Sequence, residues 1–251
     1  IHQPQGLVLV TGPTGSGKTT TLYTTLNIVA TSDVNVCTAE DPIEMEVESF
    51  NQVQVNPAIN MGFADCVRSL LRQDPDIIMV GEIRDLETAE MAIQSSLTGH
   101  LVFSTLHTNG ALATVQRLVD LGLQSFLINS SLVGILSQRL VRKLCGQCKE
   151  LGPIDRDKWS ALMEGDTLAM PEQVYHAKGC EDCNGTGYHG RVCVYELVKF
   201  DDRLKRIVHP KIEIAELKEK SRGMFTPLRV NGARKVVNGE TTLEEVLKVA
   251  Y

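Results

Sequence analysis

Gly12-Pro13-Thr14-Gly15-Ser16-Gly17-Lys18-Thr19 is the stretch on which the reading of this chain turns. It fits G-x-x-x-x-G-K-[ST] at every fixed position. Leu7-Val8-Leu9-Val10-Thr11 before it reads as a short buried strand, and Thr20 to Val29 after it as a helix. Gly12, Gly15 and Gly17 let the backbone wind closely enough around an anion for consecutive N–H groups to reach its oxygens, with Pro13, Thr14 and Ser16 between them. The helix start adds the positive end of its dipole. Lys18 is then placed to reach β- and γ-phosphates, Thr19 to ligate magnesium, and Thr20 to close the cradle. These residues imply a purine nucleoside triphosphate site, with ATP or ADP and Mg2+ as its ligands.

Strands and helices alternate outward from this loop, which predicts an α/β fold with a parallel sheet. Val34 to Ala39 reads as a second strand, running into Glu40-Asp41-Pro42-Ile43-Glu44, where Pro42 stops it and leaves three carboxylates at the ligand end of such a sheet. Gln52 to Val55 alternates as a half-buried strand would. Phe63 to Gln73 is helical in period, with Arg68 and Arg72 one turn apart on a shared face. Asp76-Ile77-Ile78-Met79-Val80-Gly81-Glu82 is a doubly buried strand with an acid just past its end. Gly81 holds the position more often occupied by aspartate, so Glu82 is expected to orient the attacking water and accept its proton. Leu86 to Leu97 is an amphipathic helix stopped by Gly99. Leu101-Val102-Phe103-Ser104 is another buried strand, bracketed by His100 and His107, which with Thr105 and Thr108 form a candidate γ-phosphate sensor. Gly110 to Leu121 is helical in period, and further helices are expected to Leu144.

The net charge of -6 offers no broad basic surface, which disfavours nucleic acid as the main partner. From Leu118 to Val141 the apolar run is broken by Asp120, Gln124, Asn129 and Gln138, short of the roughly eighteen residues of a membrane span. The chain opens on Ile1 without an initiator methionine and enters its first strand within ten residues, so a missing N-terminal portion is expected.

Two C-x-x-C knuckles follow, Cys145-Gly146-Gln147-Cys148 and Cys180-Glu181-Asp182-Cys183. Two such knuckles supply four thiolates to a tetrahedral Zn2+, and four protein ligands make that ion structural. The 31 intervening residues must form a small excursion of their own. Disulfides are disfavoured because nothing indicates export to an oxidising compartment. Cys37, Cys66 and Cys193 read as core thiols. Gly185 to Arg191 is turn-rich and leads into a strand, Val192 to Leu197. The remainder reads as helical: Asp201 to Val208, Ile214 to Lys220, Pro227 to Val237, and a last helix with Thr242 and Glu245 as a capping box. The expected organisation is 1–144 as the nucleotide core, 145–191 as the tetracysteine element and 192–251 as a mostly helical C-terminal part.

In this order, the phosphate loop, the acidic box at 40–44, the glutamate-ended strand at Glu82, the histidine box from Gly99 to Asn109 and the tetracysteine element resemble the C-terminal motor domain of the type II secretion and type IV pilus assembly ATPases, in the bacterial secretion ATPase superfamily. The likeness spans essentially the whole chain, including Gly-Tyr-x-Gly-Arg at 187–191. It implies a RecA-like core and a ring-shaped homo-hexamer in the cytoplasm, peripheral to a bacterial inner membrane. The implied partners are inner-membrane platform and cytoplasmic-domain proteins of the machine. It also implies Lys18 and Thr19 as phosphate and magnesium contacts, Glu82 as the catalytic glutamate, Glu40 as the acidic-box residue near metal and water, and His100 and His107 as histidine-box residues. Arg68, Arg72 and Arg84 match arginines near the nucleotide or subunit boundary. The four cysteines point away from retraction-type motors, which lack them. Because arginines of a preceding domain close over the nucleotide in that family, weak turnover is expected of this chain alone. The alternatives are a nucleic-acid translocating ring, which DNA-stimulated turnover would favour, and a non-hydrolysing nucleotide-dependent zinc adaptor, against which Glu82 argues.

Overall fold

The computed structural model describes residues 3–250. In chain order its elements are β1 (Gly6–Thr11), α1 (Lys18–Val29), β2 (Val36–Glu40), β3 (Phe50–Gln54), α2 (Phe63–Leu70), β4 (Ile77–Val80), α3 (Leu86–Leu97), β5 (Leu101–Leu106), α4 (Ala111–Asp120), α5 (Ser125–Ser131) and β6 (Leu132–Leu144). They continue as β7 (Glu150–Pro153), α6 (Arg156–Leu162), β8 (Gln173–His176), β9 (Tyr188–Lys199), α7 (Asp202–Lys205), α8 (Ile214–Lys220), α9 (Leu228–Val237) and α10 (Leu243–Leu247).

The chain divides into two compact units, Ile1–Ser137 with Leu197–Phe225, and Gln138–Glu196 with Thr226–Tyr251. Composition alone suggests consecutive segments, but the compact units interleave, because β6 and β9 each pass from one to the other.

In the first unit the sheet runs β3-β2-β4-β5-β1-β6-β9, and the pairs β1–β5, β1–β6, β2–β3, β2–β4 and β4–β5 are parallel. Continuous apolar strands are what such a sheet needs, since successive side chains enter cores on opposite faces. Leu7, Leu9, Ile78 and Val80 join one core, covered by apolar positions of α2 to α5 and by Leu204 and Leu217. Val10, Ile77, Met79 and Phe103 join the other, covered by Leu22, Tyr23 and Leu26 of α1. Residues 132–144 are not helical as expected from sequence but form the long strand β6. It is buried at Leu132, Gly134, Ile135, Ser137, Gln138, Arg139 and Val141, a length and density that periodicity cannot separate from a buried helix.

In the second unit Trp159, Leu162, Val174, Val236 and Val246 share a core. The segment between the knuckles supplies β7 and β8, an antiparallel pair with Glu150 opposite His176, and the helix α6. Thr242 accepts the Glu245 N–H at 3.4 Å, as the capping-box spacing predicts.

Candidate functional site

β1 delivers the chain to the phosphate loop at its C-terminal end. Gly15 and Gly17 turn at φ of 78° and 87°, the left-handed region that favours glycine. Gly17 caps α1 without a side-chain acceptor, and no acid lies in the first turn, so the helix start suits an anion. The Lys18 ammonium donates to the carbonyls of Gly12 at 3.0 Å and Pro13 at 3.3 Å, folding over the loop a phosphate would fill. Pro13, Thr14 and Thr20 are exposed, Ser16 is buried, and Thr19 stands half-buried at the start of α1. Glycine cradle, ammonium and hydroxyl together fit a nucleotide phosphate with a hydrated divalent cation.

Register sets the rest of the site. Leu9 and Val80 both pair with Ser104, so Glu82, two residues past Val80, stands level with Thr11 at the mouth of the loop. It lies two strands away, about 10 Å at ordinary strand spacing. One oxygen of Glu82 is 3.2 Å from His107 Nε2, and the other accepts from Arg84 Nε at 2.7 Å. Arg84 Nη1 reaches Asp41 Oδ2 at 3.4 Å, and its guanidinium stands 5.8 Å from the Phe63 ring centre. The hydrogen bond to Glu82 raises the affinity of Arg84 for its proton above the ordinary value. Asp41, Glu82, Arg84 and His107 thus form one polar cluster beyond the C-terminal ends of β2, β4 and β5.

Two expected residues make other contacts. Glu40 is only 4% exposed. Its oxygens accept from Tyr23 Oη at 2.6 Å, Thr38 Oγ1 at 2.6 Å and Gln52 Nε2 at 3.0 Å. Burial, then the hydrogen bond and charge of Glu40, push the Tyr23 hydroxyl well above its usual range. His100 precedes β5, about 20 Å along the strand direction from His107 at ordinary rise. There its Nδ1 is 2.9 Å from the Ser95 carbonyl, closing the end of α3. Arg68 is held by Asp65 at 2.8 Å and by Glu87. Arg72 is exposed beyond the end of α2.

In the second unit the four knuckle sulfurs lie within 4.8 Å of one another. The separations Cys145–Cys180, Cys148–Cys183 and Cys180–Cys183 are 3.9, 3.8 and 3.7 Å. A tetrahedron with metal–sulfur bonds of about 2.3 Å has edges of about 3.8 Å, so the set fits a tetrahedral ion and none of these pairs is a disulfide. Backbone N–H groups orient the ligands: Gly179 donates to Cys148, and Cys180 and Gly187 to Cys183, at 3.4, 3.2 and 3.1 Å. Burial pushes the Cys148 thiol up to about 12. At Cys183 burial acts upward too, but the N–H groups of Cys180 and Gly187 outweigh it and hold the thiol near about 6.

A sequence profile of the family described as "Type II/IV secretion system protein" matches residues 1–248. This chain belongs to the type II/IV secretion system protein family. It is 58% identical over 245 residues to the type IV pilus assembly ATPase TfpB of Acinetobacter baylyi, covering 97% of this chain and 42% of that protein. It is 50% identical over 249 residues to type II secretion system protein E of Pseudomonas aeruginosa, covering 99% of this chain and 49% of that one. The chain therefore spans about half the length of these curated relatives. Among solved structures, the pilus retraction motor PilT with bound ADP superposes with a TM-score of 0.70 at 30% identity, covering 99% of this chain and 62% of the other.

Within this secretion family member the fold is the expected P-loop, RecA-like core, accompanied by the tetracysteine group. Lys18, Thr19, Glu82, Arg84 and His107 come to the C-terminal edge of the sheet, whereas His100, Arg68 and Arg72 are not brought to the Glu82 cluster. Sequence reading named Asp41 only as one of three acids, and gave Tyr23 and Gln52 no role. The pointer to Asp41 is that Glu40 ends a strand buried throughout, so the next residue is the first carboxylate clear of the sheet.

Proposed function

We propose that this chain is the ATP-hydrolysing motor part of a pseudopilus or pilus assembly machine. The observation carrying the reading is Glu82, level with the phosphate loop and held between Arg84 and His107 with one oxygen toward each. In this reading Lys18 leaves the Gly12 and Pro13 carbonyls for the phosphate oxygens, and the first-turn N–H groups of α1 take the remaining charge. Glu82 turns an oxygen from His107 toward a water in line with the γ-phosphate and accepts its proton as the bond from water to phosphorus forms and the bond to the β,γ-bridging oxygen breaks, that oxygen leaving with ADP. His107 and Arg84 keep the carboxylate aimed, and Asp41 holds Arg84. Mg2+, held through Thr19, would supply charge neutralisation at the phosphates. In this reading the unit of 1–137 with 197–225 carries this chemistry, and Cys145, Cys148, Cys180 and Cys183 of the other unit hold a structural Zn2+.

The names of the relatives, a type IV pilus assembly ATPase and a type II secretion system protein E, support a place in such a machine; the homo-hexameric ring, its place in the cytoplasm and its inner-membrane platform and cytoplasmic-domain partners follow from the motif resemblance. Among the described residues no helix is long and apolar enough to cross a membrane. The test is Glu82→Gln in the full-length protein. ATP binding should stay within about twofold while hydrolysis falls at least about 100-fold, the usual size of a general-base effect. Lys18→Ala should weaken both. Wild-type turnover in Glu82→Gln would refute the assignment, and DNA-stimulated turnover would favour a nucleic-acid translocase.

A further inference from the structure

Tyr23 lies five residues after the phosphate lysine, on the same helix. Its ring is buried beside Phe50, with centroids 6.3 Å apart, and its hydroxyl stands 2.6 Å from Glu40 Oε2 and 3.0 Å from the Met45 carbonyl. Gln52, on β3, places Nε2 3.0 Å from Glu40 Oε1, 3.0 Å from Tyr23 Oη and 2.9 Å from the Met45 carbonyl, while its Oε1 accepts from Val47 N at 2.7 Å. Thr38 completes the set at 2.6 Å from Glu40 Oε1.

The protons can be assigned. Tyr23 and Thr38 bring one each and Gln52 two. Glu40 takes the Tyr23 and Thr38 protons and one from Gln52, leaving the second Gln52 N–H for the Met45 carbonyl. The two remaining close contacts then carry no proton of their own. Glu40 is a buried acceptor with three protein donors, the satisfaction a buried polar group requires.

The same groups hold the loop that follows. Met45 and Val47 are bound by Gln52, and Ile43 N donates to Gln54 Oε1 at 3.4 Å. This loop begins with Asp41, whose carboxylate faces Arg84 and, through it, Glu82. A displacement of α1 must therefore break the Tyr23–Glu40 bond or carry the loop with it.

We propose that Tyr23 and Gln52 are positioning residues for the hydrolytic step, acting through Glu40 to fix the 41–47 loop and with it the Asp41–Arg84–Glu82 chain. The inference rests on the motor reading above. Tyr23→Phe keeps the buried ring and removes its hydroxyl; Gln52→Leu keeps the shape and removes every polar contact.

Both variants are to be made in the full-length protein beside Glu82→Gln. Turnover number should fall about tenfold in each, with the KM for ATP and the affinity for a fluorescent ATP analogue within about twofold, because misplacing a catalytic group costs rate rather than binding. In the nucleotide-free proteins, hydrogen exchange of residues 43–47 should quicken about tenfold while exchange in β5 and α3 stays put, which general destabilisation would not produce. Unchanged exchange in that loop, or a KM rising in step with the loss of rate, overturns the proposal. If Glu82→Gln abolishes turnover while Tyr23→Phe and Gln52→Leu keep the wild-type rate, the positioning role fails and the motor reading stands. If the wild-type protein hydrolyses no ATP, both fall.

Discussion

Glu245→Gln isolates one buried charge in the second unit and gives a stability change whose size and pH dependence can both be worked out. The Glu245 side chain is 7% exposed, and it accepts from Arg142 Nη2 at 2.8 Å, Arg142 N at 3.1 Å and Lys248 Nζ at 2.6 Å. Burial alone would raise its pKa; the side-chain bonds from Arg142 and Lys248, with the Arg142 N–H, outweigh it and lower the value from 4.5 to about 2. A shift from 4.5 to about 2 is worth roughly 3 kcal/mol at about 1.4 kcal/mol per unit of pKa. Arg142 and Lys248 are 49% and 61% exposed, so solvent screening brings the expectation to about 2 kcal/mol. The folded pKa is the lower one, so this stability is fully present above about 4.5 and is lost as pH falls through about 2. Trp159 is the single tryptophan and is packed with Leu243 and Val246 of α10, so its fluorescence during urea unfolding reports the unit concerned. At pH 7 the variant should lose about 2 kcal/mol, or about 1 M in urea midpoint for an ordinary denaturant slope. By pH 3 the difference from wild type should have fallen by more than half. Taking the difference at each pH cancels titrations common to both proteins, the knuckle thiols included. A loss below about 0.5 kcal/mol at pH 7, or one equal at pH 7 and pH 3, would refute the reasoning.

The two histidines should separate cleanly. His107→Ala should cut ATP turnover of the full-length protein at least about tenfold, whereas His100→Ala should leave it within about twofold; equal losses would contradict the placement of His100. The four knuckle thiols should bind one Zn2+ per chain by elemental analysis, Cys180→Ser should lower that occupancy, and the cobalt-substituted protein should show the visible absorption of a tetrahedral thiolate site.

Much of the nucleotide core was legible because its signals are local. The phosphate loop needs glycines in left-handed turns, the doubly buried strands need unbroken apolar runs, and both needs are written in consecutive residues. β6 was not legible as a strand, since a long apolar run followed by charged residues satisfies a buried helix as readily; what decides for a strand is β1, more than a hundred residues earlier, offering a parallel edge. The interleaving of the two units has the same origin, for nothing near Ser137 or Leu197 marks the place where a strand leaves one core for another.

At two places the structure sets an expected residue apart from the Glu82 cluster, and both differences share a cause. Spacing puts Glu40 and His100 next to the right motifs, but a parallel sheet gathers ligands only beyond the C-terminal ends of its strands. His100 stands before its strand, so strand direction alone excludes it once Leu101–Leu106 is read as running from His100 toward His107. Glu40 is the last residue of a strand buried at all five positions, and Asp41 is the first past it. The same rule admits Glu82 and His107, which follow β4 and β5, and it predicts the cluster that Arg84 ties together. Glu40 then needs a different explanation, because a carboxylate in a buried strand persists only where donors surround it. Tyr23, Thr38 and Gln52 are those donors, and two of them come from elements flanking the acidic loop on either side. The Glu40 carboxylate is thus held by α1, β2 and β3 together, next to the loop that carries Asp41.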